Sequence, residues 1–114
     1  MTPATYTISG ITFNAGGAAY VINSGTAGVN GFTIAGSILN NSTNLQVIND
    51  GMMLSGAVTV GMISGGGNIT LGGPISGTGG ITVSGTGTLT ISGSDTYTGA
   101  SNYAIATTIV TGTI

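Results

Sequence analysis

The sequence predicts an all-β protein that coils into a right-handed parallel β-helix, a β-solenoid of about five rungs. Three observations support this fold class: a recurring triplet in which threonine separates two apolar residues, clusters of glycine between the triplets, and very few charged residues. The chain of 114 residues contains 23 glycines, and each glycine in a helix interior costs about 1 kcal/mol. We therefore expect strands joined by tight turns.

The triplets alternate with a period of two, as expected for a strand that buries one face. Each places β-branched or large apolar side chains on one face and threonine on the other, a composition favoured on half-buried sheets. The triplets are Ile11-Thr12-Phe13, Phe32-Thr33-Ile34, Val58-Thr59-Val60, Ile69-Thr70-Leu71, Ile81-Thr82-Val83 and Leu89-Thr90-Ile91. We expect the apolar residues of the last three triplets to stack inward.

The spacing of the triplets indicates how the strands stack. Recurrences lie 20 to 26 residues apart, from Ile11 to Phe32, Phe32 to Val58, Val58 to Ile81, and Ile69 to Leu89. This period suits one rung of a solenoid, and the shorter step from Ile81 to Leu89 suits successive strands around one rung. We expect a single domain over 1–114, with irregular rungs over 1–60 and a regular repeat over 61–114.

An antiparallel sandwich or barrel is the competing fold, because short strands with frequent turn signals also describe one. The absence of outward charge, the near-repetition of the triplets and the asparagine-rich bends favour the solenoid. Asn40, Asn41, Asn44 and Asn49 are predicted to stack on neighbouring rungs as amide ladders.

The composition excludes most chemistry. The chain has no Lys, Arg, His, Glu or Cys, and its charged side chains are Asp50 and Asp95. Both aspartates lie in turn-like contexts, where Asp bonds nearby backbone, so we expect no catalytic pair and no enzyme. Zinc sites need Cys or His and calcium sites need several carboxylates, so no metal or cofactor is expected.

Nucleic acid and membranes are not expected partners. Affinity for phosphates depends chiefly on Lys and Arg, and both are absent. No stretch approaches about 18 consecutive apolar residues and no targeting segment is visible. We therefore expect no membrane insertion by this chain.

The stretch ISGTGGITVSGTGTLTISGSDTYTGA, Ile75 to Ala100, resembles the autotransporter-associated β-strand repeat. That consensus reads approximately Gly-Thr-Gly-Gly-Leu, then Gly-Thr-Gly-Thr-Leu-Thr-Leu-Ser-Gly, then Asn-Thr-Tyr-Thr-Gly. The matching residues are Gly85, Gly87, Leu89, Ile91, Gly93, Thr96, Tyr97, Thr98 and Gly99. Asp95 replaces the usual Asn, an insertion, SNYAIA, precedes the closing strand, and these 114 residues contain no counterpart of the membrane barrel of autotransporters.

The resemblance implies a bacterial protein located outside the cell or on its surface, in which the repeat forms a β-helical stalk without catalytic residues. Tyr97 is expected to pack against a rung edge. Stacking on a sugar is the alternative role, and it would make carbohydrate or cell-surface ligands the partners. Tyr6, Tyr20 and Tyr103 carry the same two interpretations.

Three classes of function follow. The first is a structural solenoid whose uncapped ends template pairing, so that copies stack head to tail into a filament with 107–114 against 5–13 of the next copy. The predicted interface comprises Thr5, Tyr6, Thr7, Ile8, Ile11, Phe13, Thr107, Ile109, Thr111 and Ile114. A segment of an autotransporter adhesin passenger is the alternative. The other classes are an ice-binding solenoid that aligns Thr12, Thr33, Thr59, Thr70, Thr82 and Thr90, and a polysaccharide-cleaving β-helix, which the lack of clustered acids disfavours.

Overall fold

The fold of this chain is entirely β over the residues that its computed structural model describes, which are 6–23, 31–62, 67–93, 96–103 and 109–111. The strands in that part of the chain are β1 (Tyr6–Phe13), β2 (Val21–Ile22), β3 (Gly31–Asn40), β4 (Gln46–Ile48), β5 (Gly51–Leu54), β6 (Val58–Met62), β7 (Ile69–Leu71), β8 (Ile75–Gly77), β9 (Ile81–Gly85), β10 (Leu89–Ile91), β11 (Ser101–Tyr103) and β12 (Ile109–Thr111). Within those same ranges no helix is long and apolar enough to cross a membrane.

The strands form two sheets, and every pairing between them is parallel. The first sheet has the order β11-β9-β6-β3-β5-β8, with β1 beside β3, and the second has the order β12-β10-β7-β4-β2. Along the chain, one or two strands of the first sheet are followed each time by one strand of the second, so the chain winds in stacked coils. The parallel β-solenoid is therefore confirmed, and the antiparallel sandwich is wrong.

The coils can be named by their strands. Coil 1 holds β1 and β2, coil 2 holds β3 and β4, coil 3 holds β5 to β7, coil 4 holds β8 to β10, and coil 5 holds β11 and β12. Coils 2 to 4 are described most fully, and they amount to about three turns of solenoid with a partial coil at each end.

Two of the predicted recurrences are confirmed by the strand register. Val58 lies beside Ile81 in the first sheet, and Ile69 lies beside Leu89 in the second. The interiors of the corresponding strands are also as predicted, because the apolar residues of the last three triplets are at most 1% exposed. These residues are Ile69, Leu71, Ile81, Val83, Leu89 and Ile91.

The other two recurrences are wrong, and β3 explains why. Phe32 lies beside Tyr6 and Met52, not beside Ile11 and Val58. The first half of β3 pairs with β5 and its second half with β6, so this one strand occupies two strand positions of the next coil. A register irregularity between Ile8 and Gly10 further offsets β1 from β3.

A buried polar cluster forms the corner between the two sheets in coil 2. Asn40 and Gln46 are fully buried, and Ser42 is nearly so; we call these three residues the polar corner. Asn40 Nδ2 donates to the backbone oxygens of Asn44 at 2.8 Å and Asn68 at 2.9 Å. Asn40 Oδ1 accepts from the backbone amide of Ser42 at 2.9 Å and from its hydroxyl at 2.7 Å.

Gln46 extends the polar corner to coil 1. Its Nε2 donates to the backbone oxygen of Ala18 at 2.8 Å and to the hydroxyl of Ser42 at 3.0 Å. Its Oε1 accepts from the backbone amide of Tyr20 at 2.8 Å. Because Asn68 lies in coil 3, the polar corner links three successive coils.

The predicted amide ladders are wrong for Asn40 and Asn44. The Asn40 amide bonds backbone groups and the Ser42 hydroxyl, and Asn44 Nδ2 donates to the backbone oxygen of Gly17 at 2.8 Å. A corner offers unpaired backbone groups that buried amides can satisfy, whereas a ladder needs amides in register on successive coils.

Two glycines at strand ends have a positive φ, 100° at Gly77 and 98° at Gly85.

The backbone amides of Thr96 and Thr98 donate to the carbonyl oxygens of Ile75 and Gly77, so the stack of β8 continues into coil 5. Tyr97 lies between these two bonds and is only 9% exposed, and its hydroxyl is 2.7 Å from Ser101 Oγ. The packing role predicted for Tyr97 is confirmed.

Candidate assembly surface

Coil 1 forms one end of the described solenoid. Among the residues that the structure describes, β1 pairs only with β3 and β2 pairs only with β4. Each of these two strands therefore has one backbone edge with which no described strand pairs. A strand edge of this kind is a template for pairing with another chain.

The bonds of β2 identify the backbone groups at its open edge. The carbonyl oxygens of Tyr20 and Ile22 accept from the amides of Val47 and Asn49, on the side of coil 2. Successive residues of a strand direct their backbone groups to opposite sides, so the N–H and C=O of Val21 face the open edge. Val21 is 64% exposed.

The side chains of coil 1 cover the core incompletely. Ile8, Ile11 and Ile22 are only partly buried, although they pack against the core. Their register partners in coil 2 are fully buried; the pairs are Ile8 with Ile34, Ile11 with Ile38 and Ile22 with Ile48. The end of the solenoid at coil 1 therefore exposes apolar surface that the coils below it bury.

Two tyrosines lie at the same end. Tyr20 is 53% exposed, and its ring stacks on buried Phe13 with centroids 6.5 Å apart and planes 22° apart. Tyr6 is 66% exposed. The exposed aromatic surface at coil 1 thus packs in part on the core, through the contact of Tyr20 with Phe13. Tyrosines of this kind are common in surfaces that contact other proteins.

The opposite end is formed by coil 5. Over the described ranges, β11 pairs only with β9 and β12 only with β10. Ile109 lies in register with Leu89, and Thr111 with Ile91. Over those ranges, β11 and β12 at this end, like β1 and β2 at the other, each have one edge with which no described strand pairs.

The predicted interface residues fall at both ends. Tyr6, Thr7, Ile8, Ile11 and Phe13 all belong to β1, and Ile109 and Thr111 belong to β12. Thr5, Thr107 and Ile114 lie outside the described residues.

The predicted contact of 107–114 with 5–13 of the next copy stays a prediction, and the sheets to which its strands belong bear on it. β1 belongs to the first sheet and β12 to the second, so stacking 107–114 on 5–13 of the next copy would join strands of different sheets. In a stack that continues both sheets, β11 faces β1 of the next copy and β12 faces β2. The sequence could not supply this assignment, because it does not show on which side of the coil each strand lies.

The threonines of the triplets do not form one array. Thr59 lies beside Thr82 in the first sheet, and Thr70 lies beside Thr90 in the second. Thr12 lies beside Leu39. Their pairs are therefore distributed over two faces of the solenoid, whereas ordering of water as ice needs a single flat array.

Acidic side chains form no cluster in the described chain. Asp50 lies at the bend between β4 and β5, in the turn role expected for it, while Asp95 lies outside the described residues. No group of three His, Cys, Asp or Glu side chains that could hold a metal ion occurs in the described ranges.

Comparisons of this chain with models of protein families, with curated proteins and with solved structures found no match. The similarity of Ile75 to Ala100 to the autotransporter-associated repeat thus stays a prediction made from the sequence. The geometry of the two open ends is the feature from which a function can be argued.

Proposed function

We propose that this chain is a non-enzymatic structural β-solenoid of a bacterial extracellular surface protein, which assembles head to tail into a filament. The observation that carries the proposal is the pair of open ends: the described strands of coils 1 and 5 expose parallel edges of the same two sheets. Because the two ends differ, contact between them is heterologous, and a heterologous contact that does not close into a ring extends without limit.

The charge of the chain supports association. Natural proteins protect open strand edges with charged side chains, especially lysine. This chain has no Lys or Arg and a net charge of −2, so little electrostatic repulsion opposes contact between copies.

The apolar surface at coil 1 supports the same proposal. Ile11 and Ile22 are partly exposed there, and their partners Ile38 and Ile48 show the burial that a further coil produces. Adding a copy would remove that surface from water, at a gain of about 25 cal/mol for each Å² of apolar area.

A segment of an autotransporter adhesin passenger is the second candidate, and it is supported by two glycines of the resembling stretch that lie where adjacent coils approach closely. A Cβ at Gly93 would collide with the backbone of Gly73, and a Cβ at Gly99 would collide with that of Gly79. Glycine at these corners lets adjacent coils approach closely. In a passenger, further coils of the same chain would cover the two ends.

The test compares wild-type protein with variants at the open edge of β2. Val21→Pro removes an N–H that makes no bond within the described solenoid and places a ring at the edge, while proline is tolerated on edge strands. Val21→Thr keeps the N–H and is the matched control. We expect filaments by electron microscopy for wild type and Val21→Thr, and folded monomers for Val21→Pro.

Two results would count against assembly through these ends. A wild type that sediments as a monomer at high concentration would contradict self-assembly and would favour the passenger segment. Filaments of unchanged length from Val21→Pro would show that the edge of β2 takes no part in assembly.

A further inference from the structure

The register columns of the second sheet run without interruption from one end of the solenoid to the other. One residue of each strand lies beside one residue of the next coil, and one such column comprises Val21, Val47, Thr70, Thr90 and Val110. The first and last members of this column lie on the two open edges of the sheet.

The first sheet has a corresponding column through β1, β3, β6, β9 and β11. Its members are Ile11, Ile38, Val60, Val83 and Tyr103. Both columns cross coils of different length, which shows that the connecting segments absorb the difference while the strands keep their positions.

We propose that a second copy of this chain continues both columns, with Val110 of one copy beside Val21 of the next and Tyr103 beside Ile11. This joint deepens the proposed self-assembly and rests on it. Strand β12 then pairs with β2, and β11 pairs with β1, in the parallel sense found throughout both sheets.

The register columns favour this joint over the pairing of β12 with β1. In the continued stack, Ile11 and Ile22 both gain a coil above them, as Ile38 and Ile48 have within the chain. Pairing β12 with β1 would turn one copy about the solenoid axis, so that β11 would lie over β2 and each sheet would continue into the other. Neither register column would then continue into the next copy, although both pass through every coil within the chain.

Engineered cysteines can test the joint, because the chain contains no cysteine of its own. Paired residues on neighbouring strands have Cα atoms about 4.8 Å apart, within the range of about 4.4–6.8 Å that disulfides span. The test variant combines Val21→Cys with Val110→Cys. Filaments are treated with a mild oxidant, dissolved in denaturant and separated by mass without reductant.

Two further double variants serve as controls. Thr70→Cys with Thr90→Cys joins residues that lie in register within one chain, so it must form an internal disulfide and shows that the oxidation works. Thr12→Cys with Val110→Cys tests the pairing of β12 with β1. Sedimentation of each variant before oxidation reports whether filaments have formed.

We expect Val21→Cys with Val110→Cys to give a ladder of covalently linked multimers, and Thr12→Cys with Val110→Cys to give single chains. A ladder of multimers from Thr12→Cys with Val110→Cys alone would overturn the joint. So would filaments that form no covalent links in either variant, if Thr70→Cys with Thr90→Cys forms its internal disulfide. Both results would leave self-assembly standing. Wild-type protein that stays monomeric would overturn self-assembly and the joint together.

Discussion

Asn40 shows how one side chain can hold together coils that are distant in sequence. It is fully buried at the end of β3, and its amide bonds Ser42 and Asn44 in its own coil and Asn68 in the next. Burying an amide is unfavourable unless its hydrogen bonds are made, and here both the donor and the acceptor atoms are bonded. The side chain in turn satisfies backbone groups that the corner between the sheets leaves unpaired.

Replacing Asn40 with Ala should therefore destabilise the fold. The backbone amide of Ser42 would lose its acceptor, and the backbone oxygen of Asn68 would keep only the bond from the backbone amide of Gln46. A buried group left unsatisfied costs about 1–3 kcal/mol. We expect a decrease of at least about 2 kcal/mol in the free energy of unfolding, measured by denaturant titration.

Asn44→Ala is the matched control, because Asn44 is exposed and its side chain makes one bond, to Gly17. Water can replace that bond, so the decrease should be under about 1 kcal/mol. An equal decrease in the free energy of unfolding for Asn40→Ala and Asn44→Ala would show that the buried hydrogen bonds of the polar corner stabilise the fold no more than an exposed one does.

Leu89 represents the apolar interior at the same scale. It is fully buried, and its backbone lies in register with Ile69 on one side and Ile109 on the other. Leu89→Ala should lower the free energy of unfolding by about 2–5 kcal/mol through lost burial and the cavity left behind. Thr90→Ala, one residue along on the opposite face, should change it by about 0.5 kcal/mol or less, and a reversed order of these two losses would mean that the faces of β10 are exchanged.

Strands are the elements that the sequence predicted best, and β7, β9 and β10 show the reason. Each contains a triplet bounded by glycine or polar residues, and Ile69 and Leu89, 20 residues apart, lie side by side on adjacent coils. The parity of a single triplet fixes which residues point inward, because successive side chains of a strand alternate.

Strand β3 marks the limit of that reasoning. The triplet of Phe32 to Ile34 is only its first half, and the second half, which pairs with β6, has no threonine between its apolar residues. Triplets that resemble each other chemically do not reveal which of them stack when the coils differ in length. Recurrences in the regular half of the chain were therefore predicted, and those involving β1 and β3 were not.

The polar corner was only partly visible in the sequence. Asn40 and Asn44 were recognisable in the sequence as asparagines in a bend, but the amide ladders predicted for them were wrong. Gln46 was missed, although it stands before Val47 and Ile48 where β7 has Ile69. A polar residue at the inward position of an otherwise apolar strand was the available signal.

Glycine at the end of β9 is a further requirement at this scale. Gly85 combines a positive φ with a position at which a Cβ would collide with the backbone of Met62, in the neighbouring strand β6. Gly16 also has a positive φ, of 78°, but no atom lies within 4 Å of its Cβ position. A side chain at Gly16 would therefore cause backbone strain alone, whereas a side chain at Gly85 would cause both backbone strain and a steric collision.

We expect Gly16→Ala to cost about 1–2 kcal/mol, the strain of a left-handed residue with a side chain. Gly85→Ala should cost clearly more, because the pairing of β6 with β9 must also shift. Thermal and denaturant unfolding of the two variants provides the comparison. Similar losses would mean that β6 and β9 can separate locally at no cost.

The whole molecule is unusual in its electrostatics, since no side chain carries a positive charge. Contacts between copies must then depend on backbone hydrogen bonds and apolar burial, neither of which is screened by salt as ion pairs are. Raising the sodium chloride concentration to about 1 M, where the Debye length is about 3 Å, should leave the fraction of protein in filaments undiminished. A steep fall in sedimenting protein with added salt would contradict a joint made of strand edges.

The stacking of coils also determines how this protein would respond to mechanical force. Because the strands lie across the solenoid axis, a pull on the chain beyond β12 would peel one coil at a time, each coil of 20 residues releasing a contour length of about 70 Å. The peeling front would separate the paired strands and apolar contacts of coils 5 and 4 until it reached coil 3. There the hydrogen bonds of the polar corner add to the strand pairing, joining coil 3 to coil 2 and coil 2 to coil 1. The force needed to continue should therefore rise, and under load the first three coils would act as the anchor of the molecule.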